Sequence, residues 1–218
     1  QDQVNYPFKY RFHKIHDAFN NPNNKNFPNI TYKGCKGVIY IVRRPEDIAV
    51  SYSFHAKDTD FEKSVKFMLN KFAALNQSDD RCGFQIRQFV GRWDDHVNSW
   101  LNQKQLPVLL IKYEDLILEK KNTFLKILEF INKFNKRKFT INIKKFDNVL
   151  NSTSFKNMKK LENEKGFFEA MTDKNSGKKK PFFNLGPENN WKKILDSKVR
   201  IKIEKAFKDE MEELGYLN

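Results

Sequence analysis

The chain has 218 residues, of which 39% are hydrophobic and 31% are charged. This composition excludes a chain that is disordered throughout, and the length suits one large domain or two small ones. Lysine and arginine number 41 against 27 aspartates and glutamates, which gives a net charge of +14. Such an excess favours anionic partners: phosphate, sulfate, nucleic acid or an acidic surface.

Membrane and disulfide-stabilised classes do not fit the sequence. Apolar runs such as residues 38–42 are far too short to span a bilayer, and no apolar core follows a basic stretch near the start, as it would in a secretory signal. The two cysteines, Cys35 and Cys82, are too few for a disulfide scaffold and lack metal-ligand spacing. We therefore expect a cytoplasmic protein with reduced thiols.

The first predicted elements form a strand, a turn and a helix. Residues 1–35 are predicted to be mostly loop, with a short extended piece at 10–13. Residues 37–42 are continuously apolar and β-branched, which is typical of a strand buried in a parallel sheet. Pro45 suits the first turn of a helix, and Glu46 and Asp47 suit its positive end. Together these signals predict the first half of an α/β unit.

The remaining elements continue this alternation. Helical spacing of apolar residues predicts helices over 61–75 and 84–103, and residues 107–113 form a second strand of the buried type. Further helices are predicted over 121–133, 142–150, 155–161 and 197–214, with Gly215 ending the last one and a mobile loop at 172–180. Because no repeat or Ser/Gly linker divides the chain, we assign residues 1–218 to one α/β domain.

Three side chains follow the predicted strands in positions that suit an anion. Ligands of open α/β sheets bind at the carboxyl ends of strands. Arg43 follows the first strand, Ser51 lies two turns into the next helix, and Tyr113 ends the second strand. A guanidinium beside a helix N-terminus, with a hydroxyl nearby, is suited to phosphate. The alternative is that Arg43 and Arg44 are a solvated pair that ends a strand.

A second candidate site is the tripeptide at residues 14–16. Its Lys14 and His16 lie on the same side of an extended segment. A histidine can take a proton from an attacking hydroxyl, and a nearby lysine can stabilise charge on a leaving oxygen. The alternative is that both are ordinary surface or core residues.

Residues 38–52 resemble the 3′-phosphate-binding signature of the sulfotransferases that use 3′-phosphoadenosine-5′-phosphosulfate, PAPS. In that signature a strand is followed by Arg-x-Pro-x-Asp and by a helix with a serine eight residues after the arginine, and Arg43 to Ser51 reproduces this spacing. Residues 14–16, Lys-Ile-His, resemble the family's Lys-Thr-His segment, whose histidine is the catalytic base.

Other segments resemble the family in the family's own order. They are residues 91–100 with Gly91, Trp93 and Trp100, residues 107–116, residues 153–158, residues 182–192, and the ending at 211–217. The resemblance covers the chain from about residue 8 onward. It implies a P-loop-NTPase-like α/β fold, with a parallel sheet flanked by helices in a single domain.

The resemblance also implies an activity and a set of site residues. The activity is in-line transfer of a sulfuryl group from PAPS to the hydroxyl or amine of a small-molecule, sugar or lipid acceptor. No metal, specific nucleic acid or membrane span is implied, and the oligomeric state stays open. His16 is expected to be the general base, and Lys14 the cation near the transferring group. The residues expected to bind PAPS, or its product PAP, are Arg43, Ser51, Tyr113, Thr153, Ser154, Phe155, Asn184 and Gly186.

The sequence departs from the family pattern at four points. The family begins with a strand and a Pro-Lys-x-Gly-x-Thr-Trp loop that holds the 5′-phosphosulfate, and we expect this part to precede Gln1 in a longer chain. Asn184 and Leu185 stand where the family has arginine and lysine, and Ile15 replaces a threonine. The dimer motif of animal cytosolic members is not reproduced around residues 192–204.

Three other interpretations remain open at this point. A basic nucleic-acid-binding module would also explain the net charge, although it predicts exposed aromatics among clustered lysines and arginines. A P-loop kinase relative would need a Gly-Lys-Ser/Thr motif, which these residues lack. A sulfotransferase-like protein that binds PAP without turnover is the third.

Overall fold

The computed structural model describes residues 10–21, 24–28, 30–55, 60–75, 87–135, 138–170, 177 and 179–217. Its strands are short: β1 (Asn20–Asn21), β2 (Asn24–Pro28), β3 (Val38–Val42), β4 (Ala74–Leu75), β5 (Gln88–Phe89) and β6 (Val108–Lys112). Its helices are α1 (Pro45–His55), α2 (Phe61–Met68), α3 (Trp93–Leu101), α4 (Tyr113–Leu118), α5 (Lys120–Asn132), α6 (Ile143–Ser152), α7 (Phe155–Lys165), α8 (Trp191–Ile194), α9 (Ser197–Ala206) and α10 (Lys208–Glu213).

The two apolar strands β3 and β6 pair in parallel. Val38 lies opposite Val108 and Val42 opposite Lys112, so the two strands end level with each other. Arg43 follows Val42 and Tyr113 follows Lys112, so these two residues lie side by side at one edge of the sheet. Helices flank this sheet, and the expected α/β class with a parallel sheet is confirmed.

The main core covers one face of the parallel pair. Tyr40 and Val42 of β3 alternate with the half-exposed Ile41, as side chains on opposite faces of a strand do. Apolar side chains from five helices pack with them: Ala49, Val50, Val65, Met68, Trp93, Val97, Trp100, Val199, Ile203, Phe207 and Met211. Phe130 of α5 packs elsewhere, below Gly37 at the start of the sheet.

Helix α1 begins as the sequence predicts. Pro45 is its first residue, and Glu46 and Asp47 lie in its first turn. Both carboxylates are buried, and burial raises the pKa of each. Helix α1 runs away from the end of β3. Ser51 on this helix therefore lies beyond the sheet edge at which Arg43 is found.

Two predicted helices are too long because a hairpin-like pair lies between them. The helix predicted over 61–75 ends at Met68, and Ala74 of β4 instead pairs with Phe89 of β5. The helix predicted over 84–103 begins at Trp93, after Gly91 with its positive φ of 64°. Apolar residues at helical spacing also fit short strands, and this ambiguity explains both errors.

The C-terminal region differs from the prediction in one more respect. The helix expected over 197–214 is two helices, α9 and α10, divided at Phe207. Phe207 is fully buried and its ring lies 5.2 Å from that of Trp93. The helices α4 and α8 and the β1–β2 pair were also not predicted, and Tyr113, expected to end the second strand, is the first residue of α4.

Some predictions concern residues outside the described ranges. These are Cys82, residues 84–86 and most of the predicted loop at 172–180. Within the described ranges Cys35 is an exposed free thiol. None of the helices described there is both long enough and apolar enough to cross a bilayer.

Candidate functional site

A cavity of about 740 Å³ opens where β3 and β6 end. Six of the predicted site residues line it together: Arg43, Ser51, Tyr113, Phe155, Asn184 and Gly186. The rest of the lining is formed by Ile48, Tyr52, Phe54, Glu169, Lys180, Pro181, Phe182, Phe183, Leu185 and Asn189. Residues separated by more than a hundred positions in sequence therefore share one concave surface.

The level ends of the two strands bring Arg43 onto the face of Tyr113. The guanidinium carbon lies 4.1 Å from the centre of the phenol ring, a cation–π geometry. The Nε atom of Arg43 is buried and has no hydrogen-bond partner. A buried donor without a partner is costly, and an anionic oxygen would satisfy it with a charge-assisted hydrogen bond. Arg43 is thus held at the cavity with a donor free for an anion.

The neighbouring Arg44 has a different environment. Its guanidinium lies 4.9 Å from the ring centre of Tyr216 and 3.6 Å from the buried carboxylate of Glu46. Its backbone N–H donates to Glu114, which also accepts from the Tyr216 hydroxyl. Arg44 therefore joins the C-terminal segment to the end of β3. The two arginines are not the solvated pair that the alternative interpretation required.

Negatively and positively charged side chains lie together around the start of α1. Burial raises the pKa of Asp47, while the Arg43 guanidinium works against that rise. The backbone carbonyl of Asp47 accepts from the side-chain amide of Asn189, which lines the cavity. Ser51 follows one turn later and is exposed. Its hydroxyl stands on the cavity side of the helix together with Ile48.

The far wall of the cavity depends on a close approach between Gly186 and Phe155. Gly186 has a φ of +51°, and a Cβ placed on it would lie 2.1 Å from Phe155 Cε2. Only glycine fits both this backbone conformation and this contact. The Phe155 ring lies 6.1 Å from that of Phe183 at a steep angle. The rings of Phe155 and Phe183 therefore form part of the cavity wall.

Thr153 and Ser154 are not among the residues that line the cavity. The Thr153 hydroxyl donates to the Val149 carbonyl at 2.7 Å and lies 3.4 Å from the Lys120 ammonium. Ser154 is the N-cap of α7 and accepts from the Asn157 N–H. Burial lowers the pKa of Lys120. The hydroxyls of Thr153 and Ser154 thus form hydrogen bonds at the end of α6 and the start of α7, directly before Phe155.

Lys14 and His16 lie outside the cavity lining and are exposed. The Lys14 ammonium is 3.2 Å from the carboxylate of Glu169, and Glu169 does line the cavity. The structure thus places the Lys14 ammonium one side chain away from the cavity. The backbone N–H of His16 donates to the Gln88 side chain at 3.0 Å.

A half-buried histidine, His96, supports the segment that carries His16. His96 Nε2 lies 3.2 Å from the His16 carbonyl, and its Nδ1 lies 2.9 Å from the Tyr40 hydroxyl. Because a carbonyl can only accept, Nε2 carries the proton, and Nδ1 accepts from Tyr40. Burial lowers the pKa of His96, in keeping with this neutral form.

The sequence analysis did not assign several residues of this region. Glu169, Lys180 and Asn189 line the cavity, but none of them stands in a stretch with helical or strand periodicity. Phe182 and Phe183 directly precede the predicted Asn184, and that adjacency could have identified them. Phe54 also lines the cavity, whereas Phe19 is fully buried in the core. Among the described residues, no group of three or more His, Cys, Asp or Glu side chains could hold a metal ion.

Comparisons with known proteins place this geometry in context. A family model described as "Sulfotransferase domain" matches residues 21–215. Sulfotransferase 2A1 of Macaca fascicularis is 26% identical over 189 residues, 86% of this chain and 61% of that protein. Sulfotransferase 1B1 of Mus musculus is 29% identical over 187 residues, 81% and 54% of the two chains. The 3-alpha-hydroxysteroid sulfotransferase of Cavia porcellus is 28% identical over 187 residues, 85% and 59% of the two chains.

Two solved structures have a similar fold. The crystal structure of mouse sulfotransferase SULT7A1 complexed with PAP gives a TM-score of 0.54 at 23% identity, covering 81% of this chain and 58% of that one. Retinol dehydratase in complex with androsterone and inactive cofactor PAP gives 0.59 at 17% identity, covering 95% and 55%. At sequence identities of 23% and 17%, the similarity to these two structures shows a common fold. The chain spans 54% to 61% of the length of the curated relatives named above.

Proposed function

The chain belongs to the sulfotransferase domain family, and from that premise we propose that it binds PAPS and transfers its sulfuryl group to an acceptor hydroxyl or amine. The nucleotide binds in the cavity at the ends of β3 and β6. Arg43 and Ser51 bind the 3′-phosphate, and Tyr113 and Phe155 flank the adenine and ribose. Gly186 lets the backbone of residues 182–192 approach a phosphate of the nucleotide.

One observation carries this proposal. Arg43 is fixed against Tyr113 at 4.1 Å and keeps a buried Nε without a hydrogen-bond partner. Ser51 lines the same cavity from the second turn of α1. A guanidinium, a hydroxyl and a helix N-terminus that converge in this way provide the donors and positive charge that a phosphate requires. The cavity volume and its aromatic wall suit the nucleoside that carries this phosphate.

The proposed reaction forms a sulfur–oxygen bond, or a sulfur–nitrogen bond with an amine acceptor, and breaks the sulfur–oxygen bond to the nucleotide. The acceptor oxygen, or an amine nitrogen, attacks the sulfur while the bond from sulfur to the bridging phosphate oxygen breaks, and PAP leaves. The His16 imidazole takes the proton of the attacking group. The Lys14 ammonium offsets the negative charge that grows on the leaving oxygen. Lys14 must exchange its contact with Glu169 for that role, since its ammonium now lies 3.2 Å from this carboxylate.

We assign a small-molecule acceptor with an apolar body. Ile48 and Phe54 line the cavity with apolar surface, and Tyr52 adds an aromatic ring. A sugar would need several polar partners there, because its hydroxyls lose water on binding. A relative named as a hydroxysteroid sulfotransferase supports the same class of acceptor.

Two measurements on the full-length protein test this function. Calorimetric titration with PAP tests binding, and transfer of radiolabelled sulfate from PAPS to a panel of phenols, steroids and amines tests turnover. We expect saturable PAP binding and labelled product with at least one apolar acceptor. A protein that binds no PAP would contradict the proposal.

A second candidate function is binding of PAP without turnover. Two observations favour it: Lys14 is paired with Glu169, and Asn184 and Leu185 bring no positive charge to the cavity. PAP binding with no labelled product from any acceptor, in full-length protein, would support this alternative. Labelled product would exclude it.

A further inference from the structure

Helix α7 carries a buried carboxylate that binds the backbone of the cavity wall. Glu162 is only 9% exposed. Its Oε1 accepts from the N–H of Phe182 at 2.6 Å, and its Oε2 accepts from the N–H of Phe183 at 2.9 Å. Both oxygens of one side chain therefore hold two successive residues that line the cavity.

The same helix makes a third contact with this segment. The Lys159 ammonium donates to the Asn184 carbonyl at 3.2 Å and lies 5.7 Å from the ring centre of Phe155. Residues 182, 183 and 184 are thus each held to α7 through the backbone. Two residues later the chain reaches Gly186, whose contact with Phe155 closes the wall.

The way these contacts are made matters for an anionic ligand. Asn184 and Leu185 carry no positive charge, and Leu185 packs against the hydrophobic core. The segment therefore offers a nucleotide no charged side chain, and its shape and its backbone depend on where α7 holds it. A carboxylate is costly to bury without hydrogen bonds, and two N–H donors on its two oxygens are what makes its burial tolerable.

We propose that Glu162 is a positioning residue of the nucleotide site, which holds residues 182–186 in the conformation that binds the donor. The inference rests on the proposed function for the identity of the ligand. Glu162 does not touch the nucleotide in this proposal. It acts through the backbone of Phe182 and Phe183 and through the wall that Phe183 and Phe155 form.

Replacement of Glu162 by glutamine separates this role from simple packing. Glutamine has almost the same volume, so no cavity opens, but it replaces one accepting oxygen by an NH₂ donor. That donor would face a backbone N–H, so one of the two hydrogen bonds is lost. The matched control is Glu164→Gln, the same change on the same helix, at a carboxylate that pairs only loosely with Lys160 at 3.7 Å.

The experiment compares wild type, Glu162→Gln and Glu164→Gln in full-length protein. Amide hydrogen exchange is measured over a peptide that covers residues 181–186, without ligand. The affinity for PAP is measured by calorimetry, and KM for PAPS and kcat are measured separately. We expect faster exchange and PAP binding weakened about tenfold in Glu162→Gln only, since an unsatisfied buried polar group costs that much. KM for PAPS should rise far more than kcat falls.

The outcomes distinguish this inference from the proposed function. Unchanged exchange and unchanged PAP affinity in Glu162→Gln, beside a wild type that binds PAP, would overturn the role of Glu162 alone. A wild type that binds no PAP would overturn the proposed function and this ligand assignment together. Equal effects in the two variants would show that any loss of charge on α7 suffices, and would also overturn the role of Glu162.

Discussion

Arg43 and Arg44 are adjacent in the chain and serve different parts of the molecule. Arg43 stacks on Tyr113 in the cavity, whereas Arg44 contacts Tyr216 and Glu46 and holds the C-terminal segment. The sequence alone could identify the pair but could not divide their roles, because the division depends on where β6 ends beside β3. The register that places Lys112 opposite Val42 makes this distinction.

His16 gives the first prediction at the scale of a residue. Replacing it with alanine removes the proposed proton acceptor, so turnover should fall about a hundredfold or more. PAP binding should survive, because His16 lies outside the cavity lining. Initial rates and PAP titration in the same preparation measure both quantities.

His13→Ala is the matched control, because His13 is another exposed histidine of the same segment. It should keep the wild-type rate. A His16→Ala variant that keeps full turnover would remove His16 from the mechanism.

His96 gives a second prediction, on stability against pH. Burial lowers its pKa below the ordinary value of 6.5, so between pH 6.5 and that lower pKa the unfolded chain binds a proton that the folded chain does not. The free energy of unfolding therefore falls as pH decreases below 6.5, by up to about 1.4 kcal/mol per pH unit from this one group. Urea denaturation at pH 7.5 and pH 5.5 measures this fall.

The comparison variant is His96→Gln, which cannot take up a proton in this range. Its stability should be lower at pH 7.5, since the bonds to Tyr40 and the His16 carbonyl are disturbed, but it should fall less than that of wild type on acidification. An equal fall in both proteins would show that His96 is not the group that titrates.

Among the elements, the segment at residues 182–186 shows what periodicity cannot reveal. It has no regular structure apart from a 3₁₀ turn at Gly186–Glu188, yet α7 holds it at three successive residues. The resemblance identified Asn184 and Gly186 as site residues, but Glu162 lies just beyond the helix predicted over 155–161 and carries no signal of a long-range role. Contacts between distant segments are set by packing, which a single sequence does not display.

Gly186 gives the prediction that belongs to this element. In Gly186→Ala the new Cβ would meet the Phe155 ring at 2.1 Å, so the ring or the segment must move. PAP binding should weaken about tenfold, beyond a loss of stability of about 1 kcal/mol from the positive φ. PAP titration and thermal unfolding measure the two effects.

The control is Gly166→Ala, at the end of α7. Gly166 also has a positive φ, of 74°, but a Cβ there would meet nothing within 4 Å. This variant should lose stability and keep its PAP affinity. Equal loss of affinity in both variants would mean that backbone strain, and not the contact with Phe155, is responsible.

At the scale of the whole molecule, the sequence predicted the fold class and the family, and both are confirmed. The β-branched run at 38–42 and the Pro45 turn could be predicted because their signals are local and strong. The helices over 61–75 and 84–103 were predicted too long, since a pair of two-residue strands depends on a partner distant in the chain. The assignment of residues 1–218 to one domain, and the roles of the site residues, stay predictions.

In the cavity, too, some residues could be predicted from a local segment of the sequence, whereas others depend on contacts between distant parts of the chain. Arg43 and Ser51 are eight residues apart, and the resemblance of this local segment to the family's signature predicted a phosphate site. Glu169, Lys180 and Asn189 also line the cavity, and of these only Asn189 lies in a segment that resembles the family. Their contribution arises from the way the chain returns to the ends of β3 and β6.

The central claim is that the corner formed by Arg43, Ser51 and the start of α1 binds the 3′-phosphate of the nucleotide. The direct measurement is the change in Kd on Arg43→Ala for two ligands, PAP and adenosine 5′-phosphate, with the exposed Arg87→Ala as control. Loss of a charge-assisted hydrogen bond should weaken PAP about tenfold or more and leave adenosine 5′-phosphate almost unchanged. Equal weakening of both ligands, or no weakening of PAP, would contradict the account.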